Sequence, residues 1–186
     1  MFDFHQSIWL MKPLSVMGRH LHDLTVGHVF LLEAMDSPFF CGGILHEEDV
    51  LVASLICTMS FDEAKAIMMD TKRLVKKCEW WGFFCRIKGI KIEDEVPKLR
   101  DYITSYTAFA EPWVDKDKPV KKSAIPFSVR LAWLLMDRMS EHEAWNLPMC
   151  RAMAYYEAFC EANGVEFLSQ DQDNVIKGMH DGDSNS

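Results

Sequence analysis

Glu143-Ala144-Trp145-Asn146-Leu147-Pro148, followed by the run from Met149 to Gly164, is the most legible stretch of the chain. Pro148 suits the first helical position, where its missing N–H costs nothing, and Asn146 or the residue after it can close the turn before it. Met149, Ala152, Met153, Tyr156, Phe159 and Cys160 then recur at helical spacing, with Arg151, Glu157 and Glu161 elsewhere on the cylinder. Gly164 stands where a left-handed C-terminal cap is wanted. The stretch is a tryptophan-marked turn feeding an amphipathic helix that stops at a glycine. Trp145 in this reading anchors the last helix on the preceding one, with a partner contact as the alternative.

Working back toward the N-terminus, the same signals repeat. A helix from about 128 to 139 follows Ile125-Pro126-Phe127, with Val129, Ala132, Trp133, Met136 and Met139 on one face, widened by Leu131, Leu134 and Leu135, and a short link over 140–143 joins it to Trp145. Acidic Glu93-Asp94-Glu95 and Pro97 open another helix, whose inner face is Leu99, Tyr102, Ile103, Tyr106 and Phe109 and which ends at Glu111-Pro112. Residues 114–122, charged and containing Pro119, read as an exposed loop. Ser60-Phe61-Asp62-Glu63 is a capping box that opens the longest helix, carried through Ala64, Ile67, Met68, Thr71, Leu74, Val75, Cys78, Trp81 and Cys85 to a stop at Gly89. Trp80, Phe83 and Phe84 widen the apolar face of that helix. A cluster this broad either packs beneath several elements, the preferred reading, or receives a partner. Trp80, Phe83, Phe84, Trp9 and Trp145 are therefore the candidate partner-binding residues.

Before it, acidic Glu47-Glu48-Asp49 favours the helix dipole and starts a helix over about 47–58 that is apolar nearly all round, hence central. Thr25 caps a helix through Val26 to Met35, and Phe39-Phe40-Cys41-Gly42-Gly43 reads as a loop with its rings tucked inward. Residues 1–24 are an arm, either packed and extended or partner-binding. Residues 169–186, with Asp171, Asp173, Asp181 and Asp183, read as a disordered acidic tail. The expectation is an all-α fold: one compact domain of about six helices over residues 25–168.

The 186 residues suffice for one well-packed domain. A formal charge of -8 opposes bulk attraction to phosphate backbones, so nucleic acid is a poor first partner. The longest apolar run, 50–57, falls far short of the ~18 residues of a membrane span, and the first residues lack the pattern of a secretory signal; a cytoplasmic setting is expected. Six cysteines without a C-x-x-C pair read as reduced, mostly helical hydrophobes, with Cys41 placed in a loop. Twelve methionines and six tryptophans suit either a methionine-rich core or an adaptable binding surface.

Motifs for chemistry are thin. His20-x-His22 with Asp23 and His28 is the densest histidine group, yet it lacks zinc or facial-triad spacing, so solvated or core histidines are the reading; no metal or cofactor is expected. Gly-x-Ser-x-Gly and the phosphate-binding loop are absent, and helix-interior cysteines among apolar neighbours are poor nucleophiles. A paired-carboxylate hydrolase stays open on these residues, although nothing recommends it.

Several short motifs taken in order carry a resemblance. Pro13-Leu14-Ser15, Gly27-His28-Val29-Phe30-Leu31-Leu32-Glu33, Ser37-Pro38-Phe39, an acidic lead into Leu55-Ile56-Cys57, then Glu143 to Pro148, Tyr155-Tyr156 and Glu161-Ala162-Asn163-Gly164 resemble small helical proteins of the tail-gene region of tailed phages and prophages. In character these are similar to tail assembly chaperones. The resemblance spans roughly 13–165, and the chain departs from it by an insertion of 16–26 between the Pro-Leu-Ser and Gly-His pieces. It implies a non-enzymatic factor in the bacterial host cytoplasm that binds hydrophobic segments of the tape-measure protein while the tail tube polymerises. A structural virion component, such as a head–tail connector or tail-completion protein, and a small helical enzyme are the alternatives. Self-association into a homo-oligomer stays open.

Overall fold

The computed structural model describes residues 14–107 and 125–164. Described first is an extended piece, strands β1 (Ser15–Val16) and β2 (Arg19–His20), paired antiparallel around a Met17-Gly18 turn in which both residues have positive φ. Nine helices follow among the described residues: α1 (Val26–Ala34), α2 (Pro38–Cys41), α3 (Glu47–Cys57), α4 (Phe61–Met68), α5 (Thr71–Ile87), α6 (Ile92–Thr107), α7 (Phe127–Leu135), α8 (Glu141–Asn146) and α9 (Met149–Ala162). The fold is all-α, a single domain around one core.

Caps define most helix starts. Thr25 Oγ1 accepts from His28 N–H while His28 Nδ1 accepts from Thr25 N–H, so a histidine completes a box normally closed by a glutamate or glutamine. His46 N–H is taken by Asp49 at 2.9 Å to begin α3, and Ser60 with Glu63 opens α4. Helix α5 ends in a Schellman arrangement, with Ile90 N–H bonded to the Cys85 carbonyl and Gly89 N–H to that of Arg86, at φ +67 for Gly89.

Helices α1 and α3 are the hubs. Helix α1 touches α2, α3, α4, α7, α8 and α9, and α3 touches α1, α4, α5 and α6. The apolar run of α3 is buried almost throughout, from Val50 to Cys57 with Val52 only partly covered. Gly27 lets α1 approach α4: a Cβ there would stand 2.3 Å from Phe61 Cδ2.

The turn after Trp145 is stapled to the N-terminal segment. Val26 N–H bonds to the Leu147 carbonyl and Met149 N–H to the Leu24 carbonyl at 2.7 Å, an antiparallel bridge of Thr25 with Pro148. Trp145 packs on Phe30 and Phe61, ring centroids 5.2 and 6.0 Å away, and so joins α8 to α1 and α4. It is half-buried against the core, and the helices it ties differ from the neighbour expected.

Residues 14–24 are an extended segment packed into the domain. Val16, Met17 and Leu24 are fully buried, Met17 N–H donates to Glu95 Oε2 at 2.8 Å, and the Tyr102 hydroxyl donates to the His22 carbonyl at 2.6 Å. Burial works against the Glu95 charge, but hydrogen bonds from Lys98 and Met17 outweigh it and hold the carboxyl below its ordinary range.

Five expectations need correction. The long helix from Ser60 is two helices, because Asp70 leaves helical geometry (φ −116°, ψ 85°) and its carboxylate caps Arg73 N–H. Residues 140–143 are not a link, since Ser140 and Glu143 form a capping box that starts α8. Phe39, Phe40 and Cys41 belong to the single turn α2, not to a loop; the two rings are half-buried, and Gly42 and Gly43 reverse the chain after it. The inward face of α7 is Ser128, Leu131, Ala132 and Leu135, and Trp133 points out, 72% exposed. Helix α6 also begins at Ile92, so Pro97, expected in the opening of the helix, lies inside it. Trp9, Phe109, the Glu111-Pro112 end, the 114–122 loop and the acidic tail lie outside the described residues.

A candidate binding groove between α3 and α5

The face of α5 turned to the core carries Leu74, Trp81 and Cys85, all buried, with the Arg19 guanidinium 4.7 Å from the Trp81 ring centroid. Round the helix toward α3, small and medium side chains leave space. Gly82 brings the α5 backbone close to α3, since a Cβ there would sit 3.4 Å from Leu51 Cδ1. Beside this approach lies a groove of about 450 Å³, floored by Leu51, Val52, Leu74, Val75, Cys78 and Gly82. Glu47 and Glu48 stand on its α3 wall, and Glu79, Phe83 and Arg86 on its α5 wall.

Beyond Phe83 the apolar surface continues outward. Trp80, Phe83 and Ile87 are 60%, 61% and 67% exposed and succeed one another at spacings of three and four, the seam spacing of a helix that packs against another helix. Trp80 stacks on half-buried Phe84 at 6.0 Å with 16° between the planes, and Lys88 Nζ lies 5.8 Å from the Phe84 ring, so the outer ring is held in place before any partner arrives.

The aromatic cluster thus divides. Trp81 fills the core, whereas Trp80 and Phe83 of the candidate residues face solvent with Phe84 beneath them. Trp145 lies elsewhere, on α8. Sequence reasoning set Val75 in the apolar stripe with Leu74 and Trp81, whereas it is exposed at the groove, and it missed Ile87, although the 80, 83, 87 spacing was there to be read. It also missed the α3 side of the groove, which requires knowing that α3 and α5 are neighbours.

Several titratable groups are committed to structure, while buried Ser54 Oγ and Trp81 Nε1 lack hydrogen-bond partners. Burial pulls the His28 pKa down to about 4, against the opposing effect of its bond to the Met59 carbonyl, 3.0 Å from Nε2. That bond needs the proton on Nε2, leaving Nδ1 to accept from Thr25. His20 shares a 2.8 Å bond with Ser15. Burial also pushes the Cys57 thiol up to about 12 and raises the Tyr102 and Tyr106 hydroxyls. Cys78, on the groove floor, is raised by burial and by the nearby Glu48 charge. None of these shifts makes a nucleophile or base active near neutral pH. Among the described residues no three His, Cys, Asp or Glu side chains converge as metal ligands, and no helix is long and apolar enough to cross a membrane.

What the site can do chemically is bury apolar side chains between walls that carry charge. No protein-family model, curated protein or solved structure matches this chain.

Proposed function

We propose that the chain is a non-enzymatic assembly factor that holds an apolar segment of a protein partner in the groove between α3 and α5. The observation that carries this reading is the continuity of the groove floor with the exposed Trp80, Phe83 and Ile87 seam. Covering one large apolar side chain contributes about 1.5–3 kcal/mol, so two or three anchors on this surface suffice to retain an exposed client without a catalytic step. Phe83 belongs to both groove and seam, which makes it the centre of the contact.

The resemblance to tail assembly chaperones makes the client the tape-measure protein of a phage tail, bound in the cytoplasm of the bacterial host. The test is co-expression of the chain with a phage tape-measure protein, followed by pull-down. The reading expects the client to become soluble and co-purify, and Phe83→Glu to abolish both effects while the melting temperature is unchanged. A client equally soluble without the chain refutes it. A chain retained stoichiometrically in finished particles by mass spectrometry replaces the chaperone role with a structural one.

A further inference from the structure

The seam on α5 is set in an unusual charge environment for this molecule. The whole chain carries a formal charge of -8, yet residues 71–88 hold six lysines and arginines against one glutamate, Glu79. Projected at about 100° per residue, Lys72 and Lys76 lie beside the seam at its N-terminal end. Arg73, Lys77 and Lys88 fall along the edge away from the groove. Lys72, Arg73, Lys76 and Lys88 are exposed. The carboxylates Glu47 and Glu48 stand off the helix, on the opposite wall of the groove.

We infer that the seam receives an amphipathic α-helix whose apolar stripe is bordered by aspartate or glutamate. The spacing of Trp80, Phe83 and Ile87 fits a helix packed nearly parallel to α5, over about 10 Å of its length. The ammonium and guanidinium groups at the N-terminal end and along the edge away from the groove select an acidic flank on that side by opposite charge and penalise a basic one, whereas the groove-side edge, with Glu47, Glu48 and Glu79 against Arg86, does not share this preference. A second copy of the chain is a poorer occupant, because pairing α5 with itself brings two net-basic helices together. The inference rests on the reading that this face binds a protein, and it specifies the partner's chemistry.

The test uses the full chain and two synthetic helical peptides of about three heptads with the same leucine seam, one flanked by glutamates and one by lysines. Fluorescence anisotropy at low salt is expected to show the glutamate peptide binding about tenfold tighter, with the gap closing at high salt. Lys72→Glu/Lys76→Glu is expected to narrow the preference to less than about threefold, and Trp80→Ala to weaken both peptides about tenfold; all of these residues are exposed, and a circular dichroism melt checks that the variants fold. Equal or tighter binding of the lysine peptide overturns the inference. So does a dimer, seen by light scattering, that Trp80→Ala dissolves, and so does binding of phosphatidylglycerol vesicles or single-stranded RNA with neither peptide bound. If the tape-measure client still co-purifies while the peptides show no charge preference, only this inference fails. If the glutamate peptide binds as expected and the client does not, the proposed function fails.

Discussion

Replacing Gly27 by alanine adds one methyl group, and its effect separates two opposed contributions. Alanine is the better helix former by up to about 1 kcal/mol, and by less at the second residue of α1, so a Gly27 in open space would make the change stabilising. The added Cβ instead falls 2.3, 2.5 and 2.6 Å from Cδ2, Cγ and Cε2 of Phe61, more than an ångström inside normal carbon contact. Phe61 cannot simply withdraw. It is 4% exposed, stacked on Trp145, and edge-on to His28 at 6.4 Å. Trp145 in turn rests on Phe30 of α1 itself. Overpacking of this kind costs roughly 1–3 kcal/mol, and a face-on clash with an immobile ring belongs at the upper end. The net expectation is a loss of about 2 kcal/mol, or a melting temperature lower by roughly 4–8 °C. Urea unfolding followed by tryptophan fluorescence measures it. In a Phe61→Leu background the alanine penalty should shrink by more than about 1 kcal/mol, because the ring is the obstacle. A neutral or stabilising Gly27→Ala, or a penalty indifferent to Phe61, refutes this packing of α1 on α4.

Acid should weaken the fold through His28. Its folded pKa is depressed to about 4 from an unfolded value near 6.5, so the unfolded chain binds the proton first and stability falls as pH drops from 6.5 toward 4. Between pH 7.5 and 5.5 the loss is roughly 1–2 kcal/mol in urea titrations, and it should disappear in His28→Gln, whatever that variant costs at pH 7.5. Glu33→Ala should destabilise by about 2–3 kcal/mol, since the carboxylate accepts from both the backbone N–H and the hydroxyl of fully buried Ser128 at the start of α7, where no local side chain caps the helix; unchanged urea stability would contradict this.

That Glu33 contact also explains why the outward side of α7 was misread. Nearly every residue from Phe127 to Met136 is apolar, so hydrophobic pattern alone leaves the rotation of the helix undetermined. The hydrogen bonds from Ser128 to Glu33, 95 positions away in sequence, turn Ser128 inward and leave Trp133, about 140° round the cylinder, in solvent. The break at Met69-Asp70 escaped for a different reason. Ile67 and Leu74 are one heptad apart and both buried, so the interruption preserves the phase of the apolar stripe, and only Asp70, a good N-cap residue, betrays it.

Local chemistry was readable where it is self-contained, as in Thr25 and Ser60 as caps, Gly89 and Gly164 as left-handed stops, and α3 as a buried helix. The groove was half legible. Trp80 and Phe83 stand out in any reading of α5, but whether such rings face core or solvent depends on the width of the face that neighbours cover. Leu74, Trp81 and Cys85 already fill the space against the core, which leaves the opposite side of the same helix uncovered.

Amide hydrogen exchange of the chain alone and in its complex with the co-expressed client tests the binding role at the level of residues. Protection gained on α3 around Leu51 and Val52 and on α5 from Val75 to Ile87, with the rest of the domain unchanged, is the predicted result. Protection that instead gathers around the other exposed aromatics, Trp133, Tyr155 and Phe159, with none along α5, contradicts it.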